Sequence, residues 1–139
     1  MPTGSSLAAT AATYRLELAR NCLSGQAVQS ALGIDAATLT VWRKQRRLLA
    51  VWHRPINEWL YPDFQFRDNA LIREMPDLLA VYETYSSQVW KNTWGIVEWF
   101  MSPHLLLDSE RPADVMARDP QRVLTVARTE FFQDPSTFW

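Results

Sequence analysis

The stretch from Ser24 to Phe66 constrains the fold more than any other part of the chain. Ser24 offers a capping hydroxyl to a helix whose Val28, Ala31 and Leu32 fall on one side, and Gly33 supplies the left-handed backbone that ends such a helix. Asp35 caps a second helix with its charge at the positive end of the dipole, leaving Leu39 and Trp42 inward at i and i+3. A short helix, a turn at Leu32-Gly33-Ile34 and a second helix ending in a basic cluster have helix-turn-helix spacing. Two β-prone runs follow, Leu48 to Trp52 and Trp59 to Phe66, around the polar break His53 to Glu58. They predict a β-hairpin placed as a wing. Pro62 lacks an N–H and must lie on an edge or at a strand end, while Phe64 and Phe66, two apart, are expected on one face.

On the N-terminal side, Met1 to Thr13 is rich in Ser, Thr, Ala and Gly and reads as a flexible leader. Tyr14, Leu16, Leu18, Ala19, Cys22 and Leu23 fit a first helix running to Leu23. Beyond the wing, Asp68-Asn69 marks a junction. Pro76 belongs in the first turn of a helix carrying Leu78, Leu79, Tyr82 and Tyr85, and Ser86 to Gln88 forms a polar break. A helix over Val89 to Met101 packs Trp90, Trp94, Val97 and Met101, with Trp99 and Phe100 making it apolar most of the way round, as suits a central or interface helix. Pro112 and Pro120 begin two more, the first turning Val115 and Met116 inward and the second Val123, Leu124, Val126, Ala127 and Phe131. The tail Gln133 to Trp139 ends in two aromatics with no helix to hold them. The expected fold class is mainly α: a leader over 1–13, a helix-turn-helix with a short β-hairpin wing over 14–68, and a small α-helical C-terminal domain over 69–139.

Bulk composition narrows the function classes. A chain of 139 residues with 47% hydrophobic residues can bury a core. Its single cysteine, Cys22, excludes an internal disulfide and a cysteine-based metal site, which makes a reducing, cytoplasmic setting the expectation. No segment approaches the roughly 20 apolar residues that span a bilayer, so neither secretion nor membrane insertion is expected. The net charge of −1 conceals an asymmetry: residues 1–54 hold seven Lys and Arg against two acids, and residues 55–139 seven against thirteen. Two halves of opposite sign suit different partners, and they also attract each other within one fold.

The chemistry-bearing residues concentrate in two places. Arg43, Lys44, Arg46 and Arg47 end the second helix, with Arg54 in the wing turn. Such cations neutralise phosphates, while Thr38, Thr40 and Arg43 lie where base edges are read. Cations also favour a helix C-terminus for purely local reasons, so the helix-turn-helix spacing and the hairpin tip the reading toward DNA. Gln26 and Gln29 read as ordinary surface glutamines. His104 and Asp108 are four apart, but Pro103 and the intervening leucines make a turn there rather than a metal pair. No phosphate loop, nucleophile elbow or Cys/His cluster is visible, so no catalytic residue, metal or cofactor is expected.

The second half carries a family likeness. Trp99-Phe100-Met101-Ser102-Pro103-His104-Leu105-Leu106-Leu107-Asp108-Ser109-Glu110-Arg111-Pro112-Ala113-Asp114-Val115-Met116, followed by Val123 and Leu124, resembles the toxin-binding domain of the Xre/MbcA/ParS antitoxins. The Trp-Arg, Arg-Leu-Leu-Ala-Val and Tyr-Pro-Asp-Phe-Gln-Phe runs resemble the helix-turn-helix that precedes it. The likeness covers about Ser24 to Arg128. It implies an antitoxin that neutralises a RES-type, NAD-consuming toxin by direct binding and represses its own operon as a homodimer on operator DNA. On this reading Trp94, Trp99, His104, Asp108, Arg111, Phe138 and Trp139 are the candidate toxin contacts, with His104, Asp108, Arg111, Pro112 and Asp114 marking a structural turn. Ser109 stands where the family commonly has Gly, so that turn is expected to differ or strain. The wing looks closer to a MerR-like reader than to the all-helical type. The alternative is a DNA-binding transcriptional regulator without a toxin, its C-terminal half serving dimerisation.

Overall fold

Short polar residues ahead of amphipathic runs set the first elements. In the computed structural model, which describes residues 13–85 and 93–131, helix α1 covers 13–19 and strand β1 Cys22–Ser24. Helix α2, Gly25–Leu32, is capped by the Ser24 hydroxyl, which accepts from Ala27 N–H at 3.1 Å, and it ends on Gly33 at φ 65°. Helix α3, Ala36–Lys44, is capped by Asp35, whose carboxylate accepts from Thr38 N–H at 2.7 Å. After α3 the backbone closes with Arg46 N–H on the Arg43 carbonyl and Arg47 N–H on the Trp42 carbonyl. That double bond pattern is a Schellman ending, and it puts Arg46 at φ 58°, where Gly is usual.

The expected hairpin forms, with its strands shorter and shifted from the expected runs. Strand β2, Val51–His53, pairs antiparallel with β3, Glu58–Pro62, around a 3-10 turn at Arg54–Ile56 closed by left-handed Asn57. One expectation is corrected: Cys22 and Leu23 are not helical. They belong to β1, which pairs with the other edge of β3, Cys22 opposite Pro62, giving the order β1-β3-β2. Local periodicity favours helix there, but the open edge of β3 supplies ladder partners that only the folded chain provides. Pro62 keeps its strand-end place, and just beyond it Asp63 N–H reaches the Asn21 carbonyl at 2.8 Å. Asp68 and Asn69, both left-handed, turn a second small hairpin between β4, Phe66–Arg67, and β5, Ala70–Leu71.

Extended backbone alternates its side chains, and here the alternation feeds two cores. Leu48, Ala50 and Tyr61 join Val28 and Leu39 in a small cluster under the helix-turn-helix. Leu49, Val51 and Leu60 point the other way, into the larger cluster built with the C-terminal helices. Phe64 and Phe66 therefore do not share a face, a second correction. Phe64 sits in a 3-10 turn at Asp63–Gln65 and enters the large cluster, whereas Phe66 packs on the small one. The helical turn breaks the period of two on which the expectation rested.

Gln65 ties these segments together. Fully buried, it accepts from Leu49 N–H at 2.7 Å and donates to the Leu49 carbonyl at 2.8 Å and the Pro62 carbonyl at 3.0 Å. Its amide thus stands in for a strand partner where Leu49 would otherwise bury two unpaired backbone groups.

Four helices complete the described chain: α4 Met75–Tyr85, α5 Trp94–Met101, α6 Pro112–Met116 and α7 Pro120–Phe131. Leu78, Leu79, Tyr82, Val97, Val115, Met116, Val123, Leu124 and Ala127 face the large cluster. Phe100 is fully buried and stacks on Phe64 with centroids 4.3 Å apart. The large core therefore draws on both sides of the Asp68-Asn69 junction. Among the described residues no helix is long and apolar enough to cross a membrane. The leader up to residue 12, Ser86 to Gln88, Trp90 and the tail Gln133 to Trp139 lie outside the described residues.

Candidate functional site

Leu39, buried, and Trp42, half-buried, fix which side of α3 faces the core. At 3.6 residues per turn the opposite line is Ala37, Val41 and Lys44, and these three are exposed. Thr40 lies half-buried beside that line. Thr38 lies on a flank, with its N–H and hydroxyl both engaged by Asp35, whose carboxyl those hydrogen bonds hold below the usual carboxylate range. Thr38 thus serves the cap. Val41, 48% exposed, was not among the residues singled out from sequence. An apolar side chain on the outer line is the signal that marks it, and such a group suits contact with a thymine methyl.

The basic cluster divides three ways. Arg43 leans toward the wing, its guanidinium carbon 4.3 Å from the Trp59 ring centroid. It also neighbours the phenol of Tyr61: burial pushes that group up, and the Arg43 charge and hydrogen bonding oppose the rise. Arg46 pairs with Glu83 on α4. Arg47, just past the end of α3, lies over Trp42 at 5.0 Å, on a cleft of about 420 Å³ that Leu71, Ile72 and Arg73 also line. Lys44 is exposed, as is Arg54 at the hairpin tip. The structure thus brings Arg43 to the wing and turns Arg46 toward the C-terminal half, with Lys44 exposed on the outer line of α3.

The wing is aromatic. Trp52 and Trp59 face each other across the β2–β3 pair, edge to face at 5.3 Å, and are 41% and 37% exposed, with Ile56 exposed at the tip. Arg54 and Ile56 occupy a rigid turn, since Pro55 fixes its backbone between them.

In the C-terminal half the polar groups of the candidate contacts are taken up by other residues of the same chain. His104 Nδ1 accepts from Leu106 N–H at 3.1 Å, which leaves its Nε2–H to donate to Glu130 at 2.8 Å. The same carboxylate accepts from the Trp99 indole at 2.9 Å. Asp108 takes a hydrogen bond from Arg122 at 2.9 Å, and Arg111 binds Asp114 through two at 2.9 Å, holding the Asp114 carboxyl below its ordinary range. Trp94 donates its indole N–H to the Trp52 carbonyl at 3.1 Å, joining α5 to the wing. Asp108 and Ser109 both adopt left-handed backbone at φ 56° and 64°, closing the His104 to Glu110 turn in the way a Gly would permit most easily. This turn leaves Leu105 and Leu106 outward, 85% and 52% exposed. Phe138 and Trp139 lie outside the described residues.

Burial pushes the Cys22 thiol up to about 12, the Asp63 carboxylate adding to the effect, and its S–H rests on the Leu18 carbonyl at 3.7 Å. A thiol so held is a packing group rather than a nucleophile. Among the described residues no three His, Cys, Asp or Glu side chains gather as a metal set.

No protein-family model matches the chain, and no curated protein matches it. Among solved structures it is similar to the NMR structure of Rv2175c, with a TM-score of 0.61 and 17% identity over 79% of this chain and 80% of that one. At that identity the likeness is one of fold: it supports a mainly α architecture with a small β-sheet, and nothing finer.

Proposed function

We propose that this protein is a DNA-binding antitoxin, reading operator DNA through α3 and the wing and holding a RES-type toxin through its C-terminal half. The observation that carries the DNA reading is the arrangement of α3: an outward line of Ala37, Val41 and Lys44, flanked by Arg43 and adjoined by a hairpin bearing Arg54. A helix of this width enters a major groove, and a hairpin beside it reaches backbone or minor groove. Arg43 is the base-reading cation, whereas Lys44, Arg47 and Arg54 serve phosphates. The toxin reading rests on the likeness of Trp99 to Met116 to the antitoxin motif. The exposed Leu105 and Leu106 supply an apolar surface on that same turn. They would equally serve the regulator alternative, in which this half dimerises.

Titration of the chain against DNA from upstream of its own reading frame, over a range of salt, tests the first part. Arg43→Ala should relax sequence preference, while Arg47→Ala should weaken all sequences alike and lower the salt slope by about 1. Loss of preference from both changes to the same extent contradicts the division. Co-expression with the product of the neighbouring reading frame tests the second part: relief of growth arrest with co-purification is expected, and the absence of both rejects the antitoxin reading.

A further inference from the structure

We propose that Trp59 of β3 is a positioning residue for Arg43, so that the wing determines which base the helix reads; this rests on the DNA reading above. By helical angle Arg43 belongs to a flank of α3 about a quarter turn from Lys44, and its long side chain is free to adopt many rotamers. Two groups of β3 restrict it. The Trp59 ring lies under the guanidinium at 4.3 Å, and Tyr61, almost fully buried, sets its phenol close by.

Stacking of this kind uses the face of the guanidinium. Its N–H donors lie in the plane, so those that Tyr61 does not engage are left for the hydrogen bonds that a guanine edge accepts. Trp59 is itself fixed, edge to face on Trp52, whose carbonyl takes the Trp94 indole N–H at 3.1 Å. Arg47 supplies an internal contrast. Its ring partner, Trp42, is on the helix that it directly follows, so its placement is independent of the wing.

The test is selection from a pool of randomised duplex DNA, followed by titration of the selected duplex and its single-base variants. Wild type, Arg43→Ala, Trp59→Ala and Trp59→Phe are compared, with circular dichroism to confirm that each is folded. Arg43→Ala marks the base pair that Arg43 reads. Trp59→Ala should lower discrimination at that same base pair about two- to fivefold, the size of an exposed cation–π contact, with an unchanged salt slope. Trp59→Phe, which keeps an aromatic face, should restore most of it. Undiminished discrimination in Trp59→Ala, a loss spread evenly over all sequences, or tighter binding overturns the positioning role. A wild-type chain that enriches no sequence overturns the DNA reading and this inference with it.

Discussion

The two halves of the molecule spend their aromatic residues in opposite ways. Around the helix-turn-helix, Trp52 and Trp59 stand partly in solvent, and arginines lie on Trp59 and Trp42. In the C-terminal half Tyr82, Trp99, Phe100 and Phe131 face one another, ring centroids 5.0 to 6.3 Å apart, with the Trp99 N–H satisfied by Glu130. An aromatic side chain carries both a large apolar area and a face that attracts cations. Which property is used depends on whether the ring closes a core or borders a basic helix. A high Trp content by itself therefore says nothing about function.

The largest expected effect follows from the inward set. Phe100 is fully exposed to packing and not at all to water, and it stacks on Phe64 from the first half. Phe100→Ala should lower stability by about 3–5 kcal/mol, the range for a large ring removed from a well-packed site. Because Leu49, Val51, Leu60 and Phe64 share that core, chemical unfolding should remain one cooperative transition followed alike by tryptophan fluorescence and far-ultraviolet circular dichroism. Two separated transitions, with the first half unaffected, would break the comparison by showing that the halves are independent.

A smaller effect is expected at Gln65, which ties segments of the first half together through hydrogen bonds rather than rings. Gln65→Leu keeps the volume roughly and strands the Leu49 N–H and the Leu49 carbonyl in the core. The loss should be about 2–3 kcal/mol, given the desolvation penalty of buried unpaired backbone groups. A denaturant midpoint within experimental error of wild type would mean that water replaces the amide there.

Local signals in the sequence carried the caps at Ser24 and Asp35, the Gly33 ending, the hairpin and the proline-started helices, because each depends on residues within one turn or one strand. What was not legible depends on distant partners. Cys22 and Leu23 have helical spacing, yet they are strand because β3 offers an edge. Gln65 looks like any polar loop residue until the Leu48 to Ala50 backbone is placed against it. The candidate site was legible as a basic cluster, but not its division: only the folded chain puts Glu83 beside Arg46 and Trp59 beneath Arg43. In the C-terminal half His104, Asp108 and Arg111 were legible as a turn, and the partners Glu130 and Arg122 were not, since α7 brings them from later in the chain.

The smallest expected effect compares the left-handed positions of the two halves. After α2 that position is filled by Gly33, but after α3 it is Arg46 and in the second half it is Asp108 and Ser109. A non-glycine residue held at such φ costs about 1–2 kcal/mol, and a new glycine gives back about 0.5–1 kcal/mol through unfolded-chain entropy. Ser109→Gly should therefore raise stability by about 0.5–1 kcal/mol. Arg46→Gly gains the same backbone relief but loses the exposed ion pair to Glu83, worth about 0–1 kcal/mol, and should come out near neutral. Thermal melts of both variants measure the difference directly. Should Arg46→Gly prove the more stabilising, the ion pair contributes nothing to joining the halves, and the buried rings hold the seam without it.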